Sequence, residues 1–110
     1  MKNLFAYGTL MCADIFLAVT GVSVPRSPGT LTGFSRWAVK NEHYPAIIPD
    51  QAARVEGVVY HCLPEPLWAR LDRFEGEMYA RRAVLIDLGG GEGDFADTYV
   101  CRPAYAGRLE

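Results

Sequence analysis

Short apolar runs separated by glycine and proline predict several strands in the first two thirds of the chain. Asn3–Tyr7 is an apolar stretch of strand length that ends at a glycine. Extended spacing over Leu31–Val39 predicts one or two strands with a glycine kink, and Ala46–Ile48 predicts a brief strand closed by Pro49. Val55–Cys62 is rich in β-branched residues, which makes it the strongest strand candidate in the middle of the chain.

The last third of the chain predicts a β-hairpin. Apolar residues alternate along Tyr79–Leu88, Gly89–Gly93 supplies a flexible turn, and Phe95–Cys101 returns as the second strand. The tail from about residue 103 is expected to be irregular, and residues 109–110 are expected to add nothing to the fold.

In two segments the apolar residues are spaced as in an α-helix. In Pro66–Glu75 an apolar stripe is formed by Leu67, Leu71 and Phe74, and a glycine ends the helix. Ala13–Val19 is a weaker candidate. Because six or seven short strands occur without regular strand–helix alternation, we predict an α+β protein. The expected architecture is a small, mostly antiparallel β-barrel with one or two flanking helices, in a single domain over residues 1–110.

Composition and charge narrow the classes of function. The chain has 110 residues, half of them hydrophobic, which argues against disorder and allows a buried core. The net charge is −2 and no basic cluster is longer than Arg81-Arg82, so nucleic acid and anionic membranes are not expected partners. No apolar run approaches the roughly 20 residues of a membrane helix.

The cysteines and histidines are too scattered to predict a metal site. Cys12, Cys62 and Cys101 are widely spaced, and neither His43 nor His61 has ligand-like neighbours. No metal or cofactor is therefore expected, and free thiols favour a cytoplasmic protein. Cys12 is a weak candidate nucleophile because no histidine lies near it in the sequence.

Glu75 is the candidate catalytic residue. It lies at the C-terminal end of the predicted helix, four residues after Leu71 and on the flank of the apolar stripe. Apolar neighbours and the negative helix end both disfavour its charged form, so both raise its pKa. A carboxyl group with a raised pKa can exchange protons near neutral pH. The alternative is a solvated glutamate at a helix end, as we expect for Glu77 just beyond the glycine.

The segment after the first strand is the candidate binding loop. A strand that stops at Gly8 and continues with Thr9 and Leu10 leaves backbone N–H groups free, and such groups form an anion-binding nest. An ordinary strand-ending turn is the alternative. Tyr79 and Arg81 open the strand that follows the predicted helix, and a solvated strand start is the alternative for them.

Five segments, in this order, resemble the γ-glutamylcyclotransferase-like family, which includes γ-glutamylamine cyclotransferases and plant avirulence-induced proteins. The segments are Phe5–Leu10, Gly29–Phe34, Tyr44–Ile47, Val55–Tyr60 and Leu71–Gly76, the last followed by Tyr79 and Arg81. Each motif alone is weak, whereas five motifs in order across nearly the whole chain are a specific signal.

The resemblance implies a small mixed β-barrel with outer helices and a cavity at the barrel mouth. It implies that Glu75 acts as the acid/base and that the Tyr7–Leu10 loop binds substrate, with Tyr79 or Arg81 completing the wall. The substrate-binding set is then Tyr7, Gly8, Thr9, Leu10, Tyr79 and Arg81. Family members release 5-oxoproline and an amine from γ-glutamyl amines or peptides without metal or coenzyme.

Two other functions remain open from the sequence. One is a non-catalytic module that binds a small γ-glutamyl-like or carboxylate ligand. The other is a structural or interaction protein, whose surface would carry exposed aromatic residues around Trp37 and Trp68. We expect Trp37, Trp68 and Tyr44 to lie in the core.

Overall fold

Five strands close into a barrel in the computed structural model, which describes all residues from Met1 to Glu110. The strands are β1 (Lys2–Ala6), β2 (Arg26–Ala38), β3 (Pro45–Leu63), β4 (Tyr79–Gly89) and β5 (Glu92–Cys101). They follow one another around the barrel in the order β1-β3-β2-β4-β5. All neighbours are antiparallel except β1 and β5, whose parallel contact closes the ring. The predicted α+β fold with a mostly antiparallel barrel is confirmed.

Two α-helices follow β1 and β3. They are α1 (Ala13–Thr20) and α2 (Leu67–Glu75), and they contact each other. Short 3-10 turns at Thr9–Met11 and Pro103–Arg108 complete the regular structure. Neither helix has the length and apolar character required to cross a bilayer.

Strand β3 differs from the prediction, because the two expected strands on either side of Pro49 are one long strand. The ladder with β2 shifts register between the pairs Thr32–Arg54 and Phe34–Pro49, so residues 50–53 stand opposite Gly33 alone. A bulge is one of the few places where a strand accommodates proline, which has no N–H to donate to the ladder. The glycine has a φ of 91°, and the predicted glycine kink therefore lies at this bulge.

The C-terminal tail also differs from the prediction of irregular structure. A 3-10 turn covers most of it, and Glu110 exchanges backbone hydrogen bonds with Ala38 at 2.9 and 3.2 Å. Leu109 forms an isolated bridge with Val39. The last two residues thus pair with the end of β2, a long-range contact that no local pattern in the tail reveals.

The core has two parts, one of them lying between the barrel and the helices. In this part Trp68 and Leu71 of α2 are fully buried, as predicted for both, whereas Phe74, the third residue of the predicted apolar stripe, is 45% exposed. Phe16 of α1 stacks on Tyr60 of β3 with ring centroids 3.9 Å apart. The Tyr60 hydroxyl donates to the carbonyl oxygen of Leu10 at 2.6 Å, which ties the segment after β1 to the barrel.

Candidate active site

A cavity of about 340 Å³ lies where the end of β1, the end of α2 and strands β4 and β5 meet. This volume lies at the lower end of the range found for small-molecule binding sites. Most of the lining is apolar or aromatic. The lining residues are Leu4, Phe5, Ala6, Tyr7, Gly8, Thr9, Leu10, Tyr44, Pro45, Phe74, Glu75, Tyr79 and Tyr99.

Glu75 is the only acidic side chain on this lining, and no lysine, arginine or histidine accompanies it. It is the last residue of α2 and is half-buried. Burial raises the pKa of its carboxyl group from 4.5 to about 7. The carboxyl group can therefore both accept and donate a proton near neutral pH. Glu77, two residues later, is exposed.

Three buried tyrosines surround the carboxyl group. Tyr7 donates its hydroxyl hydrogen to the carbonyl oxygen of Tyr99, and Tyr79 donates to the carbonyl oxygen of Pro45 at 2.7 Å. Burial raises the pKa of all three phenols, Tyr7, Tyr79 and Tyr99, so that they remain protonated at neutral pH. They supply neutral, fixed walls, and the charge of the cavity is set by Glu75.

The loop after β1 carries backbone donors without partners. The N–H groups of Tyr7 and Gly8 make no hydrogen bond within the chain. Thr9 and Leu10 open a 3-10 turn, and the first N–H groups of such a turn have no acceptor inside it. Since all four residues line the cavity, the loop predicted to bind an anion and the predicted acid/base meet in one place.

Gly8 is required by a close approach. A Cβ atom at this position would lie 2.9 Å from the Cγ and Cδ atoms of Pro45, closer than such atoms pack. The glycine therefore lets the loop lie directly against the start of β3.

Arg81 is the one predicted binding residue that the structure does not place on the lining. Its Nε atom lies 3.2 Å from an oxygen of Asp72, and its Nη1 atom lies 3.3 Å from an oxygen of Asp97. The arginine is thus engaged with two carboxylates outside the cavity. Tyr79, by contrast, lies on the lining as expected.

Sequence reasoning missed seven lining residues. Tyr44 was expected in the core, yet it is 37% exposed and forms part of the cavity wall; Trp37, also expected in the core, is 41% exposed. Tyr44 belongs to one of the segments that carry the family resemblance, so the resemblance could have identified it as a site residue. The other missed residues are Leu4, Phe5, Ala6, Pro45, Phe74 and Tyr99. Cys12 is exposed and lies outside the lining.

Curated relatives match most of this chain. AIG2-like protein D of Arabidopsis thaliana is 33% identical over 88 residues, which covers 80% of this chain and 58% of that protein. AIG2-like protein A of the same plant is 32% identical over 90 residues, covering 78% of this chain and 52% of that protein. The chain therefore spans a little over half the length of these relatives.

Solved structures share the fold. A solution structure of an Arabidopsis thaliana protein superposes with a TM-score of 0.82 at 28% identity, covering 94% of this chain and 73% of that chain. A structure described as a gamma-glutamyl cyclotransferase superposes with a TM-score of 0.84 at 17% identity, covering 99% of this chain and 68% of that chain. At so low an identity the second likeness shows the fold alone.

A family model described as gamma-glutamyl cyclotransferase, AIG2-like, matches residues 4–109. The match includes the loop after β1, helix α2 and all the lining residues of the cavity. The predicted resemblance is confirmed, and the chain belongs to the AIG2-like gamma-glutamyl cyclotransferase family.

Proposed function

We propose that this protein is an enzyme that cyclises a γ-glutamyl amine or γ-glutamyl peptide, releasing 5-oxoproline and an amine. The observation that carries the proposal is the half-buried carboxyl group of Glu75, with a pKa of about 7, in a small cavity shared with unpaired backbone donors. Membership of a family that contains such enzymes supports it.

The reaction is a ring closure within one molecule. The α-amine of the substrate attacks its own γ-carbonyl carbon, a C–N bond forms, and the bond from that carbon to the leaving nitrogen breaks. The protein's main tasks are then to hold the substrate in a folded conformation and to move protons.

Proton transfer fits a single acid/base. The α-ammonium group must lose two protons to become the ring nitrogen, and the leaving nitrogen must gain two to depart as an ammonium ion. In this scheme Glu75 accepts a proton before attack and returns it to the leaving nitrogen, and the cycle repeats once. A pKa near the working pH is suited to both directions of transfer.

The backbone donors of the loop are suited to the negative charge of the substrate. The N–H groups of Tyr7, Gly8, Thr9 and Leu10 would bind the α-carboxylate or the oxyanion that develops on the γ-carbonyl oxygen. One such donor to an oxyanion contributes roughly 3 kcal/mol to transition-state stabilisation. Tyr79 would form the opposite wall through its ring.

The decisive experiment compares Glu75→Gln with the wild type on a panel of γ-glutamyl amines and dipeptides, with 5-oxoproline as the measured product. Loss of the acid/base is expected to lower kcat by about 10²-fold or more. Glu77→Gln makes the same chemical change on an exposed residue and is expected to leave kcat unchanged.

Two results would contradict the proposal. A folded Glu75→Gln protein with wild-type kcat would exclude this glutamate as the acid/base. Absence of 5-oxoproline with every substrate, together with a raised melting temperature in their presence, would indicate a binding module instead.

A further inference from the structure

Arg81 is fixed on three sides although it does not touch the cavity. Its guanidinium group lies within 3.3 Å of oxygens of both Asp72 and Asp97. The centre of that group lies 4.8 Å from the centroid of the Trp68 ring, which is fully buried in α2. The planar fork of arginine suits two carboxylates at once, and it also stacks on an aromatic face.

Asp72 connects this arginine to the cavity wall. It lies on α2, about one turn before Glu75, and its Oδ1 atom accepts a hydrogen bond from the Tyr99 hydroxyl at 2.7 Å. Tyr99 lines the cavity, and its carbonyl oxygen accepts the hydroxyl hydrogen of Tyr7. A continuous series of polar contacts thus joins Arg81 to the walls around the carboxyl group.

Asp72 is the only residue of α2 whose side chain makes a hydrogen bond or an ion pair with a barrel strand. Arg70 of the same helix donates to the carbonyl oxygen of Thr20 in α1 instead. The remaining attachment of α2 is apolar, through residues such as Leu71 and Trp68. Apolar contacts are non-directional, and the Asp72 contacts add directional bonds that hold the last turn of α2 against β4 and β5.

We propose that Arg81 and Asp72 are positioning residues, which hold the last turn of α2 so that the Glu75 carboxyl group stays in the cavity against the Tyr99 wall. The proposal rests on the function proposed above, because it assigns these residues a role in that reaction. It replaces the substrate-contact role expected for Arg81 from the sequence.

The two carboxylates bound by Arg81 are not equivalent. Asp97 has a second cation, because the Lys2 amino group lies 3.4 Å from the same oxygen. Asp72 has Arg81 alone. Removing the arginine therefore leaves Asp72, whose side chain is already 46% exposed, with the Tyr99 hydroxyl as its one remaining partner in the barrel. Since Asp72 is on the helix, the last turn of α2 would then be held to the barrel by one polar contact in place of two and would be displaced more easily.

A displaced helix end would change the surroundings of Glu75 in a measurable way. The titratable groups that share its cavity are all tyrosines, from the loop after β1, the turn before β3, and strands β4 and β5: Tyr7, Tyr44, Tyr79 and Tyr99. None is a cation, and burial is the cause of the raised pKa. Greater contact with water lowers that pKa toward its ordinary value.

The test measures kcat, KM and the pH dependence of kcat/KM for Arg81→Gln and Arg81→Lys. In the wild type the acid limb of kcat/KM is expected near pH 7, where Glu75 ionises. Arg81→Gln is expected to lower kcat by at least about tenfold, since small misplacement of a reacting group is costly. Its acid limb should move to lower pH, and KM should change less than kcat.

Two further variants define the role. Arg81→Lys keeps the charge and the stem over Trp68, but a single ammonium group cannot bind both carboxylates in the same way, so partial loss is expected. If Arg81→Gln fails to fold, the kinetics of Arg81→Lys still test the positioning role. Arg82→Gln removes the same charge from the next residue, which is exposed and has no ion pair, and it should behave as the wild type.

A titration of Glu75 by carbon-13 NMR separates this proposal from the proposed function. If the wild type releases no 5-oxoproline, the proposed function fails, and the carboxyl pKa in wild type and Arg81→Gln still decides the positioning role. An unchanged Glu75 pKa in Arg81→Gln would overturn the proposal. So would an Arg81→Gln protein that has both the wild-type kcat and the wild-type acid limb. A lowered melting temperature with unchanged pKa would indicate a purely structural ion pair and would overturn it as well.

Discussion

Single residues of the same type differ in this protein according to what surrounds them. Glu75 and Glu77 are two positions apart, on either side of the glycine that ends α2. The first is half-buried with a raised pKa, and the second is exposed. The helical period indicated that Glu75 flanks the apolar stripe, and that inference needs only local sequence. The cause that the structure gives for the raised pKa is burial.

The substitution Gly8→Ala tests the role of the binding loop by adding a single carbon atom. Gly8→Ala adds a Cβ atom that would meet Pro45 at 2.9 Å, so the loop or the start of β3 must shift. We expect kcat/KM for 5-oxoproline release to fall at least about tenfold, because the donors of the loop move. Gly107→Ala, where the added atom meets nothing within 4 Å, should retain wild-type kinetics. Equal kinetics for the two variants would show that the loop tolerates the shift.

Other site residues could not be identified from local pattern. Tyr99 sits in a strand whose residues are buried throughout its second half, so no alternation marks it as a wall of a cavity. It lines the cavity only because β5 lies beside β1 and against α2. Tyr44 looked like a core aromatic, since a lone tyrosine before a proline does not indicate on which side of the barrel it lies.

Elements were predicted well where their pattern is local. The β4–β5 hairpin joins strands that adjoin in sequence, and its ladder runs from Tyr79–Cys101 to Gly89–Glu92. Strand β3 was divided in the prediction because proline ordinarily ends a strand. Pro49 lies next to a bulge of β3 whose residues 50–53 stand opposite Gly33 of β2, and this pairing with another strand is not part of the local pattern.

The substitution Gly33→Ala tests the backbone conformation at this bulge of the sheet. Its φ of 91° is unfavourable for a residue with a side chain, while an added Cβ atom would meet nothing within 4 Å. Gly33→Ala is therefore expected to lower the free energy of unfolding by about 1 kcal/mol through backbone strain alone. Denaturant unfolding measures the change, with Gly107→Ala as the unstrained control. No difference between them would mean that residue 33 adopts an ordinary φ.

The whole molecule brings the site together through contacts that are distant in sequence. The barrel closes by the parallel contact of Leu4 with Asp97, and that closure places the loop after β1 beside β5. The number and type of strands follow from sequence pattern, but the identity of neighbouring strands depends on global packing. The family resemblance supplied that information for the overall fold and not for the position of Arg81.

Folding stability is expected to reflect the buried acid. The pKa of Glu75 is about 7 in the folded protein and near 4.5 when the chain is unfolded. Between these values the folded state binds the extra proton, so the free energy of unfolding falls as pH rises from 4.5 to 7 and stays lower above pH 7. In Glu75→Gln this loss is absent.

The stability difference between Glu75→Gln and wild type should therefore depend on pH. The free energy of unfolding of the variant, relative to that of the wild type, should rise by up to about 3 kcal/mol between pH 4 and pH 8. Denaturant unfolding at both pH values measures this gain. Glu77→Gln should show no such gain, and a pH-independent difference for Glu75→Gln would mean that the carboxyl group is fully solvated.

The two tryptophans of this chain occupy opposite environments. Trp68 is 2% exposed and lies beneath the Arg81 guanidinium group, whereas Trp37 is 41% exposed. A dissolved quencher such as iodide should reach the second indole and not the first, so their emissions are separable. The shielded indole then serves as an intrinsic optical probe of the arginine above it, in the unlabelled protein and without any substrate.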